Sequence, residues 1–128
     1  MLYTGVDIVE IKRIGEILER HPAFIERFFT QTERKYFYEK KLAAQYIAAG
    51  FAAKEAVSKC IGGFYGFKFK DIEIIRGGRP VVLLWGNAKA KAHLLGIRSI
   101  SLSISHENDY AVAFAVAQGD EQDVCTNG

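Results

Sequence analysis

The chain is poor in residues that staple or interrupt a fold, with 2 cysteines and 2 prolines in 128 residues. Two thiols cannot build the disulfide framework of a small secreted domain. Cys60 falls inside a helical pattern and Cys125 in a polar tail, so they read as a buried thiol and a stray one. An excess of one charge is also missing: 17 basic against 15 acidic residues leave +2, too balanced to point to nucleic acid. No apolar run approaches the ~20 residues of a membrane span. No basic n-region precedes the first strand-like run, so no signal peptide is expected and a reducing cytoplasm is the default. Internal repeats, low-complexity stretches, nucleophile elbows, zinc-ligand clusters and Walker loops are all absent. What is present is 49% hydrophobic and 25% charged residues, the composition of one ordinary domain with a real core.

Periodicity outlines that domain. Leu2 to Val9 reads as a strand, with Val6 and Ile8 on one face and Asp7 on the other. Ile11, Ile14, Ile17 and Leu18 form the stripe of a helix that Pro22 closes, and Ala23 to Phe29 is a short apolar turn or helix. Thr30-x-x-Glu33 has the form of a capping box opening a helix with Tyr36 and Phe37. An alanine-rich helix is expected from about Leu42 to Ile61, ended by Gly62-Gly63 as a left-handed cap. Strands from about Phe69 to Ile75 and from Val81 to Trp85 flank the turn Arg76-Gly77-Gly78-Arg79-Pro80. Asn87 can cap a short helix ending at Gly96. In Ser99 to Ser105, Ile100, Leu102 and Ile104 alternate with serines. Tyr110 to Ala117 is apolar on both faces, and Glu107-Asn108-Asp109 joins the two as a hairpin. The class is α+β, a single domain with helices packed on a mostly antiparallel sheet.

Few side chains invite a chemical reading. Asp7 is either a carboxylate on the solvent face of an edge strand or a ligand for a hard divalent cation. Glu55 and Lys59 share one helix face, with Ser58 beside them, and could be an ordinary surface pair. His106 ends a strand just before a turn, where a hydrogen-bonded turn residue is the common occupant. Gly62-Gly63 could let backbone approach a phosphate, although a helix C-terminus presents the wrong dipole for an anion.

Together these residues carry more. Gly5-Val6-Asp7-Ile8-Val9-Glu10-Ile11, Phe51-Ala52-Ala53-Lys54-Glu55-Ala56-Val57-Ser58-Lys59 and Ser103-Ile104-Ser105-His106 stand in a familiar order and spacing. Over residues 1 to about 117 the chain resembles the holo-acyl-carrier-protein synthases, the short single-domain branch of the phosphopantetheinyl transferases. The remainder, 118–128, is a polar tail expected to fray. The resemblance implies transfer of 4′-phosphopantetheine from coenzyme A to a serine of acyl carrier protein, in support of fatty acid biosynthesis. It implies Mg²⁺ held by Asp7 and Glu55, with Glu55, Lys59 and His106 as catalytic residues. Lys59, Ser58, His106 and Gly63 would surround the donor, and Glu55 or a metal-bound water would take the serine proton. Arg13 and Arg20, two turns apart on the first helix, would receive the acidic carrier. A homotrimer with active sites at subunit boundaries is implied as well, and the two-sided apolar strand at Tyr110 to Ala117 agrees with it.

One position departs from the family. Its members usually read A-G-R-F-A-A-K-E-A, whereas Ala48-Ala49-Gly50-Phe51 puts Gly50 where the arginine stands. One phosphate contact to coenzyme A thus lacks its residue: either close packing needs the side chain to be missing, or the arginine's task has moved elsewhere, to Lys40 or Lys41 at the start of the same helix. Two rival readings are a non-catalytic module that binds coenzyme A or a carrier, and a small thioesterase-like enzyme. Asp7, Glu55, Lys59 and His106, all intact, speak against the first; a magnesium requirement separates the second.

Overall fold

Strict alternation organises the main sheet. The computed structural model describes residues 1–120, so Cys125 and the tail from residue 121 lie outside the described residues. Strands β4 (Ile97–His106) and β5 (Tyr110–Gly119) form an antiparallel hairpin with Ile104 opposite Ala113 and His106 opposite Ala111. Its turn is held by the Glu107 carboxylate, which accepts from the amides of Asp109 and Tyr110 at 2.8 and 2.9 Å. Strand β1 (Leu2–Glu10) adds antiparallel to the other side of β5, giving the order β1-β5-β4. The inward residues of β5, Ala111, Ala113, Ala115 and Ala117, are fully buried, while Val112 and Phe114 point outward and are exposed.

The inner face of this sheet receives helix α4 (Ala44–Cys60). Contact is close because both surfaces carry small residues: Ala52, Ala53 and Ala56 of α4 share one core with Ala113, Ala115 and Ala117. Gly5 of β1 makes the closest approach. A Cβ there would overlap the Ala56 carbonyl oxygen and lie 2.9 Å from Lys59 Cβ, so only glycine fits. Helix α4 begins at Ala44 and not at Leu42, because Lys41 and Leu42 hold left-handed φ values of 58° and 56° that no helix continues. At its other end Gly62 and Gly63 have φ of 90° and 91°, the cap expected of that pair.

Helices α1 (Ile11–Arg20), α2 (Phe24–Phe28) and α3 (Gln31–Glu39) enclose a second core of Ile14, Phe24, Ile25, Phe29, Phe37 and Ile47. The capping box at Thr30 and Glu33 is formed in full. A separate two-stranded sheet pairs β2 (Ile72–Ile75) with β3 (Val81–Leu84), so the domain has two antiparallel sheets where one was expected. Residues Phe69–Asp71, expected as strand, form a 3₁₀ turn instead. The Phe69 carbonyl accepts from Lys54 Nζ at 2.9 Å and the Asp71 carboxylate accepts from the Lys68 amide at 3.1 Å, which curls the backbone. Asn87 does not cap α5 (Gly86–Leu94) but lies within it. Trp85 precedes it, pinned by its amide on the Asp71 carbonyl at 2.8 Å and by its indole N–H on Glu73 at 3.2 Å. Among the described residues no helix is long and apolar enough to cross a membrane.

Candidate active site

Asp7 lies on the helix-facing side of edge strand β1, not on its solvent face; its side chain is 19% exposed. The apolar neighbours Val6 and Ile8 point outward instead and are 53% and 65% exposed. Because Gly5 lets β1 lie directly on α4, Asp7 comes within electrostatic reach of Glu55 and Lys59, one turn apart on that helix. Lys59 Nζ donates to the Val6 carbonyl at 2.7 Å and stands 3.5 Å from Asp7 Oδ1. Among the described residues Glu55 and Lys59 form no salt bridge, so the ordinary surface pair is not what this spacing makes.

The protein satisfies the Asp7 carboxylate only in part. Asp7 Oδ2 is buried and has no hydrogen-bond partner. Burial raises the Asp7 carboxyl above the usual carboxylate range, against the opposing pull of Lys59. Glu55 is raised likewise, first by burial and then by repulsion from Asp7. An orphaned buried oxygen next to a second, repelled carboxylate is an arrangement that a hard divalent cation would relieve.

Ser58 is buried, and its hydroxyl donates to the Glu55 carbonyl at 2.6 Å. Its own carbonyl accepts from the Gly63 amide at 2.7 Å and so shapes the turn beyond the helix. Arg13 and Arg20 are both exposed on α1. His106 is not part of the carboxylate cluster. It ends β4, two strands across the sheet from β1, with its ring 5.8 Å from that of Tyr46. There it lines a groove of ≈ 1200 Å³ with Tyr36, Lys40, Tyr46, Arg76 and Arg79, and no lining residue carries a carboxylate.

Two features escaped the sequence reading. Lys54, beside Glu55, is fully buried and paired with Glu33 at 2.7 Å, while also donating to the carbonyls of Phe28 and Phe69 at 3.0 and 2.9 Å. Glu33 in turn accepts from the amides of Thr30 at 2.8 Å and Ile74 at 2.9 Å. Burial pushes both groups toward neutrality, and their mutual attraction and hydrogen bonds pull the other way. The second is Arg76, visible beforehand only as part of a turn. It approaches Gly50, whose Cβ would lie 3.5 Å from Arg76 Nη1. Lys40 instead lies over the rings of Tyr36 and Tyr46, at 5.6 and 5.3 Å from their centroids.

A single α+β domain with a carboxylate pair and lysine on one flank and a basic groove on the other defines a class, and residues 3–115 match the model of the 4′-phosphopantetheinyl transferase superfamily. Relatives narrow the class. A holo-[acyl-carrier-protein] synthase of Caldanaerobacter subterraneus subsp. tengcongensis is 49% identical over 123 residues, covering 94% of this chain and 97% of its own. One from Clostridium kluyveri is 51% identical over 121 residues, covering 92% and 90%. The crystal structure of the Helicobacter pylori holo-[acyl-carrier-protein] synthase in complex with coenzyme A superposes with a TM-score of 0.77 at 35% identity, over 90% of this chain and 99% of that one. The chain belongs to the holo-[acyl-carrier-protein] synthase family of that superfamily.

Proposed function

We propose that this chain transfers the 4′-phosphopantetheine group of coenzyme A to a serine of apo-acyl carrier protein, leaving adenosine 3′,5′-bisphosphate, in support of fatty acid biosynthesis in the cytoplasm. The observation that carries this reading is the buried, unpartnered Asp7 Oδ2 beside the carboxylate of Glu55. Among the described residues no third His, Cys, Asp or Glu joins them. A pair of carboxylates suits Mg²⁺, which keeps several waters and takes one or two carboxylates plus substrate phosphates. Asp7 and Glu55 would hold the ion, which would supply neutralisation of the pyrophosphate charge. In the transfer the serine oxygen bonds to the phosphorus next to pantetheine, and the bond from that phosphorus to the bridging oxygen breaks. Little covalent work falls to the protein, so its residues position groups and stabilise charge. Glu55 would accept the serine proton. Lys59, whose side chain is 50% exposed, can turn from Asp7 to a phosphate oxygen. Gly63 and Ser58 would border the donor at the helix end, in a turn closed by the Gly63 amide on the Ser58 carbonyl at 2.7 Å.

His106 belongs to this reading through assembly. The cluster and the groove lie at different edges of the main sheet, and the outer face between them exposes Val6 beside Phe114 and Ile8 beside Val112. A homotrimer would cover that face and set the carboxylates of one subunit against the His106 groove of the next. Arg13 and Arg20 would then receive the acidic carrier beside the site. Mass spectrometry of an apo carrier incubated with this chain, coenzyme A and Mg²⁺ tests the function. One added phosphopantetheine is expected, with adenosine 3′,5′-bisphosphate as the second product. An unmodified carrier would overturn the reading, and acyl-coenzyme A cleaved at its thioester without magnesium would favour the thioesterase-like alternative.

A further inference from the structure

We infer that Arg76, carried by the turn between β2 and β3, binds the 3′-phosphate of the donor. This rests on the transferase reading above. Position 50 lies beside the Arg76 guanidinium: a Cβ on Gly50 would crowd Phe37 Cζ at 3.0 Å and come into ordinary contact with Arg76 Nη1 at 3.5 Å. Phe37 cannot retreat, since it is buried and packed edge-on against Phe29 at 4.8 Å. Glycine here leaves room for an arginine arriving from another element.

The guanidinium is positioned before any ligand binds. Its Nη1 donates to the Tyr46 carbonyl at 2.6 Å and its carbon lies 4.8 Å from the centre of the Tyr36 ring. Among the described residues no carboxylate lies within 4.0 Å of it. A half-buried arginine with N–H donors to spare, in a groove with Lys40, Arg79 and His106 and no acid, lacks its counter-charge. A phosphate supplies that charge in the geometry a guanidinium fork matches. Two phosphate groups of coenzyme A are candidates. In the trimer proposed above, the pyrophosphate is drawn to the cation site at Asp7 and Glu55 of the adjoining subunit, which faces this groove. The 3′-phosphate is left for Arg76.

The test compares KM for coenzyme A and for dephospho-coenzyme A in the parent, Arg76→Gln and Arg76→Lys, with melting curves confirming the fold. Arg76→Gln should raise KM for coenzyme A by about ten- to a hundredfold, the range of one charge-assisted hydrogen bond, and that for dephospho-coenzyme A by less than about threefold. Arg76→Lys should fall between, keeping charge but losing the fork. Equal increases for both donors, or none for either, would overturn the assignment. Should the parent transfer nothing, the transferase reading fails by itself. Calorimetry with adenosine 3′,5′-bisphosphate and adenosine 5′-monophosphate then decides on Arg76, whose replacement by glutamine must erase the preference for the former.

Discussion

At Asp7 burial and charge oppose each other. Its carboxyl and that of Glu55 both bind protons more tightly in the folded than in the unfolded chain, because burial disfavours their charge. The folded state therefore takes up protons just above the ordinary carboxylate range, and the stability tied to these groups falls as pH rises through that window. Asp7→Asn removes this loss. The variant should melt no lower than the parent at neutral pH, with the difference shrinking toward acid. It should also lose the Mg²⁺-induced rise in melting temperature and roughly 100- to 1000-fold in kcat, the scale of losing a group that stabilises transition-state charge. A variant that keeps both the magnesium response and the activity would remove Asp7 from the metal site. Asp7 was legible as a candidate because the Gly5-x-Asp7 and Lys54-Glu55 segments occur together. Spacing alone assigned it equally well to solvent, since Val6 and Ile8 look like core residues and face outward. Arg76 was not legible, because only tertiary packing brings it to Gly50.

Helix α4 is the element that aims the site, and its rotation is set by the residue next to Glu55. Lys54 and Glu33 join α4 to α3 and β2 through a pair with no exposure to water at the lysine. Lys54→Met should cost about 3–5 kcal/mol in urea unfolding, because it strands a buried carboxylate. Replacing Glu33 by Met as well should recover only part of that loss, because the amides of Thr30 and Ile74 then lose their acceptor. A double variant no more stable than Lys54→Met would mean the stranded carboxylate is not the main source of the cost. Element α1 presents Arg13 and Arg20 to solvent, so Arg13→Glu should raise KM for the carrier several-fold and leave that for coenzyme A unchanged. The effect should weaken with salt, since screening acts over ~8–10 Å. An unaltered carrier KM would make α1 a plain solvated face. Elements with strong local signals, such as the β4–β5 hairpin and the Thr30 capping box, stand where their sequences put them. The Phe69–Asp71 turn and the start of α5 do not, because Lys54 and Glu73 decide them from distant parts of the chain.

For the molecule as a whole, a sheet with one face of buried alanines and one face of exposed Val6, Ile8, Val112 and Phe114 is complete only on one side. Sedimentation at micromolar concentration should give three chains per particle, and Phe114→Glu should dissociate them and abolish transfer together. An active monomer would refute the shared site. The covered side has its own consequence. Between β1, β5 and α4 the layers meet through Gly5 and rows of alanine, so there is almost no side-chain volume to remove. Truncation, the usual way to damage a core, has little purchase here. Each added methylene must instead be accommodated by moving the strand that carries Asp7 away from the helix that carries Glu55, at about 1–3 kcal/mol per overpacked site. The layer beneath the carboxylates is thus a gauge with a single tolerance: substitutions that enlarge it separate Asp7 from Glu55 before they unfold the chain.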